Sequence, residues 1–162
     1  MAALAGQQNS DLYESTVVNK GVPKVHAQDV YGKVRYIAAT FDSGTDTLGT
    51  TALLKMFQLP KGAKVIDMAL TSPDLGDSGD LDVGWGASTE TDEDGTVLEA
   101  ANPDGFWADL DVNAAALERT RLASSADGFH KRFNAAVDVE ITVPEATDAA
   151  GKILLECWYV VE

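Results

Sequence analysis

The 162-residue sequence contains one cysteine, Cys157, and only two histidines, His26 and His130. A single cysteine excludes an internal disulfide framework and any zinc site built from several cysteines. Cys157 lies in a strongly apolar segment, which predicts a buried and unreactive thiol. Neither histidine lies in a motif that would pair it with a catalytic nucleophile. We therefore expect a protein whose stability does not depend on oxidation.

Long apolar runs are also missing. No segment approaches the ~20 apolar residues that a membrane-spanning helix needs. The opening residues, MAALAGQQNS, contain no basic residue and no long apolar run, so they do not resemble a secretory signal. The chain is long enough to bury a substantial core as a single domain. These features predict a protein that is made and folded in the cytoplasm.

Lysine and arginine are absent from residues 65–118, a segment with fourteen Asp and Glu residues. Residues 1–64 carry seven basic and five acidic residues, so the net charge of −14 comes almost entirely from the middle of the chain. An acidic surface repels the phosphates of nucleic acids and of anionic membranes, and we expect neither as a partner. The segment is interpreted as a solvated face that keeps the protein soluble.

Most of the chain has the composition or alternation of β-strands. The predicted strands are 31–41, 51–59, 63–72, 80–85, 105–112, 135–143 and 152–161. The last of them is apolar on both faces and is expected in the middle of a sheet. Within 63–72, Ile66, Met68 and Leu70 are predicted on one face and Asp67 on the other. A short helix is predicted over 113–122. The fold class is therefore all-β, an antiparallel β-sandwich or jelly-roll-like domain over residues 31–162.

Residues 1–30 show little periodicity and are predicted to form an extended N-terminal arm. Short apolar anchors stand between polar residues in this segment: Leu12, Tyr13, Val17, Val18 and Val22. Such a composition is typical of an arm that lies on a surface, including the surface of a neighbouring subunit. A merely disordered terminus is the alternative.

Two short motifs resemble those of proteases. GDSG, residues 76–79, is found around the nucleophile of trypsin-like enzymes, but the sequence has no matching histidine motif and is short for a double barrel. FDSGT, residues 41–45, fits the aspartic-protease pattern and follows a predicted strand. One copy per chain would require a retropepsin-like homodimer with Asp42 as the catalytic carboxylate. The simpler interpretation of both motifs is a turn between strands.

No complete metal, nucleotide or cofactor motif is present, and we predict no catalytic, cofactor or metal residues. Asp74, Asp77, Asp80 and Asp82 do not keep the spacing of an EF-hand, although a loose calcium site in the acidic loops stays open. The basic residues Arg119, Arg121, Lys131 and Arg132 are expected to be solvated or paired with the acidic segment. Trp85 and Trp158 are predicted core residues. Trp107 is compatible with the core or with an exposed, sugar-binding role.

The order of segments resembles a group of small virion proteins of tailed bacteriophages. The matching segments are DVYGKVRYIAATF, LPKGAKVIDMALTS, SGDLDVGWG, NPDGFWADLDV and VDVEITVPEATDAAGKILLECWYVV. The resemblance covers roughly residues 10–162, and it consists of strand and turn patterns. It implies a β-sandwich with a structural role in the phage head, of the capsid decoration or cement type. It brings no catalytic residues with it.

The resemblance implies binding to the outside of the capsid shell in virions that assemble in the host cytoplasm. The expected partners are the major capsid protein and further copies of the chain, as a homodimer or homotrimer. The hypothetical capsid contacts are Leu12, Tyr13, Val17, Val18, Val22 and Tyr31. A head-fibre or neck component, a carbohydrate-binding sandwich and the retropepsin-like protease are the alternatives.

Overall fold

The computed structural model describes residues 33–77, 79–114, 116–118 and 128–161. These residues form strands β1 (Arg35–Asp42), β2 (Leu53–Leu59), β3 (Ala63–Ser72), β4 (Asp80–Trp85), β5 (Asn102–Asp111), β6 (Ala116–Glu118), β7 (Val137–Glu145) and β8 (Lys152–Val161). Each of the seven predicted strand segments overlaps one of them, so the all-β prediction is confirmed. Within the same ranges, no helix is long and apolar enough to cross a membrane.

The described strands form two antiparallel four-stranded sheets. Sheet A has the order β1-β8-β3-β6, and sheet B has the order β2-β7-β4-β5. The chain passes repeatedly from one sheet to the other, as in sandwiches and jelly rolls. Strand β8 lies between β1 and β3. Its prediction as a central strand is therefore confirmed, and its apolar composition on both faces fits this position.

The core lies between the two sheets and is supplied by alternating side chains. Along β7, Val137, Val139, Ile141 and Val143 are buried, while Asp138 and Glu140 on the other face are partly exposed. The same alternation holds in β4 for its three apolar residues. Each such buried aliphatic side chain contributes about 1.5–3 kcal/mol relative to an exposed one. Both patterns match the predicted inward and outward faces.

The helix predicted over 113–122 is wrong where the structure describes it. Residues 116–118 form β6, which pairs antiparallel with the end of β3 from Leu70 to Ser72. The helical preference of an alanine-rich segment amounts to a few tenths of a kcal/mol per residue, and a helix of three turns is marginal in isolation. Backbone pairing with the open edge of β3 outweighs it. Residues 119–122 lie outside the described part of the chain.

The predicted faces of β3 are also partly wrong. Met68 and Leu70 are buried as expected, but Asp67 is buried as well and Ile66 only half-buried. A register shift places Val65 opposite Tyr159 and Asp67 opposite Trp158, which makes Ile66 the extra residue of a bulge. The bulge resets the alternation at this point, and strict period-two reasoning cannot anticipate it.

Candidate interaction surfaces

The predicted capsid contacts cannot be placed. Leu12, Tyr13, Val17, Val18, Val22 and Tyr31 all lie outside the described residues, as does the predicted arm 1–30. The arm and its boundary with the sandwich therefore stay predictions. The described surfaces belong to the sandwich.

The GDSG segment belongs to a turn between β3 and β4, as the simpler interpretation expected. The N–H of Gly76 donates to Asp74 Oδ1 at 2.9 Å, and Gly76 has a φ of 101°. A Cβ atom on Gly76 would lie 2.5 Å from the Cβ of Asp148. Glycine is therefore required where this loop approaches the loop that precedes β8. The loop carries a packing role, and residue 78 lies outside the described chain.

Asp42 is the last residue of β1 and leads into a turn. Its Oδ1 accepts the N–H of Gly44 at 2.9 Å, and Lys152 Nζ lies 3.2 Å from its Oδ2. The backbone hydrogen bond and the lysine lower the pKa of Asp42 below its usual range. An aspartic-protease pair instead shares one proton between two carboxylates, which raises one of their pKa values. The environment of Asp42 matches the turn interpretation.

The three tryptophans differ in their surroundings. Trp85 and Trp107 are buried, so Trp107 belongs to the core. Trp158 is only half-buried, and its prediction as a core residue is wrong because its side chain lies on the outer face of sheet A. There its ring centroid lies 5.2 Å from that of Tyr36, whose hydroxyl donates to Glu156 Oε1 at 2.5 Å. The outer face of sheet A thus presents an aromatic pair, with Tyr36 on the edge strand β1 and Trp158 on the neighbouring strand β8.

Carboxylates cluster on β4, β5 and the end of β7 in sheet B. We call this group the acidic face; it consists of Asp80, Asp82, Asp104, Asp109, Asp111 and Glu145. In the strand register, Asp80 stands opposite Asp111 on β5 and opposite Glu145 on β7. Within the described ranges no lysine or arginine pairs with any of the six. The solvated acidic surface expected from the sequence therefore has a definite location.

The carboxylates of the acidic face repel one another. The pKa of Asp80 is raised by partial burial and then by the charges of Glu145, Asp111 and Asp109. The pKa of Asp82 is also raised, again mainly by burial, although its Oδ1 accepts the N–H of Asp109 at 2.8 Å. No group of three or more His, Cys, Asp or Glu in the described chain is arranged to hold a metal ion. In the described part of the chain, the acidic face therefore has no lysine or arginine to balance its carboxylates.

The acidic connection between β4 and β5 is anchored by one buried carboxylate that the sequence did not single out. Glu99 accepts hydrogen bonds from the backbone and side-chain nitrogens of Asn134 at 3.1 and 3.2 Å. Lys131 Nζ lies 2.9 Å from its other oxygen. The expected pairing of basic residues with the acidic segment thus holds for Lys131. Arg119 and Arg121 lie outside the described residues.

Comparisons with known proteins show the fold. No family model matches the sequence, and no curated protein sequence matches it. A chain in the capsid of Ralstonia phage GP4 has 20% sequence identity and a TM-score of 0.63, over 81% of this chain and 86% of that one. A chain in the capsid asymmetric unit of cyanophage Pam1 has 17% identity and a TM-score of 0.61, over 99% of this chain and 94% of that one. The sandwich therefore has the fold of chains found in phage capsids.

Proposed function

We propose that this protein is a structural component of a bacteriophage virion that binds the outside of the capsid shell and stabilises it, without catalysis. The observation that carries the proposal is the extent of the fold match. The similarity spans 94% and 86% of two capsid chains, so this chain is comparable with each of them as a whole. A decoration, or cement, role is the one that a small capsid-associated sandwich of this length fits best.

The charge distribution supports a defined orientation on the shell. The segment before β1 carries no excess of negative charge and contains apolar anchors, while the acidic face and the acidic loop lie on the sandwich. In the proposed orientation residues 10–31 contact the capsid and residues 72–104 face outward. The outward negative charge keeps neighbouring particles apart by repulsion.

The proposed partners are the major capsid protein and other copies of this chain. Sites on an icosahedral shell are related by symmetry, which favours dimers at twofold positions and trimers at threefold positions. Neither nucleic acid nor membrane is a proposed partner, because negative charge dominates the surface. The location is the outer surface of the capsid, and assembly takes place in the host cytoplasm.

The test is a count of this chain against the major capsid protein in purified virions, by quantitative mass spectrometry. A decoration role predicts a ratio on the order of one copy per capsid subunit. About a dozen copies per particle, or fewer, would overturn the decoration role and favour a neck, vertex or fibre component. Complete absence from virions would overturn the structural role altogether.

A further inference from the structure

One side of the sandwich is less well covered than the other. Strands β1 and β2 are the outer strands of sheets A and B, and they pack against each other on the same side of the molecule. No described strand pairs with the outer edge of either one. We call this side the open side, and it consists of residues 34–42 and 52–59. Within the described ranges, the backbone N–H and C=O groups on these two outer edges have no strand partner.

Apolar side chains on the open side remain partly exposed. Most of the partly buried hydrophobic residues that pack against the core are found here: Ile37, Phe41, Ala52, Met56 and Phe57. Val34, Tyr36 and Leu53, near the starts of the two strands, are 57%, 55% and 50% exposed. On the inward row of β1, Ile37 and Phe41 are therefore only partly covered.

Strand β1 lacks the features that protect edge strands from pairing. Such features include proline, bulges and charged residues within the strand. Strand β5, an edge of sheet B, contains Pro103 and several aspartates, and β2 contains Lys55 and a register shift beside it. The sequence of β1 is RYIAATFD, with its only charges at the two ends, and its pairing with β8 is unbroken. Strand β6, the other edge of sheet A, is only three residues long, and a very short edge strand is itself protected from pairing. Among the described edges, β1 is thus the long strand that lacks such protection.

The same strand is complementary to itself in the antiparallel direction. Antiparallel pairing with a second copy brings the Arg35 end of each strand near the Asp42 end of the other, so that like charges are kept at opposite ends of the pair. A one-residue change of register would pair the inward side chains of one copy with the outward side chains of the other. Only registers that pair inward residues with inward residues are therefore compatible with a continuous core. Two such registers centre on Ala38 and on Ala39.

The axis through Ala39 gives the better match. It places Ile37 opposite Phe41 of the partner subunit, twice over, on the inward and partly exposed row. The axis through Ala38 would instead place Arg35 opposite Phe41 of the partner subunit on that row. Cross-strand aromatic and β-branched pairs stabilise a sheet, whereas a charge on its apolar face costs free energy.

We propose that β1 pairs antiparallel with β1 of a second copy across a twofold axis at Ala39, which joins two copies of sheet A into one eight-stranded sheet. This proposal rests on the self-association that is part of the proposed function, and it assigns that self-association to β1. It covers the half-buried Ile37 and Phe41 and satisfies the outer backbone groups of β1. The acidic faces belong to the two sheets B and take no part in the interface.

The test is disulfide cross-linking of the full-length Ala39→Cys variant. Residues directly opposite in antiparallel strands have Cα atoms about 4.5–5.5 Å apart, within disulfide range. Mild oxidation should convert most of the variant into a covalent dimer on a non-reducing gel. The matched control is Ala108→Cys, an exposed position on edge strand β5. This variant should form no covalent dimer and should run as a monomer on the same denaturing gel. The native Cys157 is buried, and its pKa is raised to about 12, so it should not contribute to cross-links.

Light scattering of the unmodified protein gives the second measurement. The expected mass is twice the 17.2 kDa of one chain. A monomer at every concentration tested, or cross-linking through Ala38→Cys but not Ala39→Cys, would overturn the proposed axis. These outcomes leave the copy number in virions unaffected, and absence from virions would leave the cross-link unaffected. The two proposals can therefore fail separately.

Discussion

Lys131 Nζ lies 2.9 Å from Glu99 Oε2, and the carboxylate side chain is only 4% exposed. The same ammonium group lies 5.7 Å from the ring centroid of Trp85. Lys131 thus lies between Glu99 in the acidic loop that joins β4 to β5 and the buried ring of Trp85. A buried carboxylate without such a partner would be costly, since desolvation of the charge would be uncompensated.

We therefore expect Glu99→Gln to destabilise the protein by about 1–3 kcal/mol, less than for a fully buried pair because Lys131 is partly exposed. The amide keeps an acceptor for Asn134 but leaves the lysine unpaired. Urea unfolding followed by circular dichroism measures the effect. Glu93→Gln, at an exposed position in the same loop, is the control and should change stability by less than about 0.5 kcal/mol. Equal effects of the two variants would contradict an anchoring role for Glu99.

Two buried tryptophans provide a comparison of hydrogen bonding in the core. Trp85 Nε1 donates to the carbonyl oxygen of Ala100 at 2.9 Å, whereas Trp107 Nε1 is buried and has no hydrogen-bond partner among the described residues. Replacement by phenylalanine removes a similar volume in both cases, but only Trp85→Phe removes a hydrogen bond. We expect Trp85→Phe to lower the free energy of unfolding by about 1 kcal/mol more than Trp107→Phe. Chemical denaturation of both variants checks the order, and the reverse order would be inconsistent with this hydrogen-bond assignment.

Partial burial of Asp80, together with the charges of its acidic neighbours, predicts a stabilising substitution. Because the pKa of Asp80 is raised in the folded protein, its contribution to stability falls as pH rises through the range between its unfolded and folded pKa values. Asp80→Asn should therefore raise Tm at pH 7 by about 1–2 °C, and the difference should vanish below about pH 3.5. Calorimetry across this pH range measures it.

Asp138 provides a control of opposite sign on the same sheet. Lys55 lowers its pKa, so its contribution to stability is present at neutral pH and is lost as pH falls through the folded pKa. Asp138→Asn should lower Tm at pH 7, and this difference should also disappear in acid. A decrease in Tm for Asp80→Asn at pH 7 would show that the carboxylates are not mutually destabilising.

The predicted arm is tested by deletion of residues 1–25. The sandwich should keep its circular dichroism spectrum and unfolding transition, because every described strand lies after residue 34. Binding to capsids that lack the protein should be lost, because the apolar anchors from Leu12 to Val22 are removed. Sedimentation of capsids with the full-length and truncated proteins measures the difference. Binding of the truncated protein at full strength would refute the arm as the capsid contact.

The strands were predictable from the sequence where alternation is strict. In β4 and β7 every second residue is apolar, and the burial follows this order because a half-buried strand repeats every two residues. The bulge at Ile66 was not predictable, since one extra residue changes the faces without changing composition. Strand β6 was not predictable either, because its three residues belong to an alanine-rich segment whose local preference is helical.

The interaction surfaces were less accessible to prediction than the fold. The acidic character of residues 65–118 was evident, but its division between strand faces and the β4–β5 loop depends on tertiary contacts. In the sequence, Glu99 cannot be distinguished from its acidic neighbours. Only the tertiary positions of Lys131 and Asn134 compensate the free-energy cost of its burial. The open side is a property of strand order, which local sequence patterns do not encode.

Strand β8 pairs with both β1 and β3 in sheet A, so β1 has no described pairing partner until β8 has been synthesised. Tyr36 and its hydrogen-bond partner Glu156 are 120 residues apart in the sequence. A ribosome needs on the order of 10 s to add that many residues, and throughout this time β1 has no place in sheet A. Sheet A can therefore close only after β8 has been synthesised, and its closure is a late, non-local and slow event. Until then the nascent chain exposes an apolar strand that general chaperones would recognise.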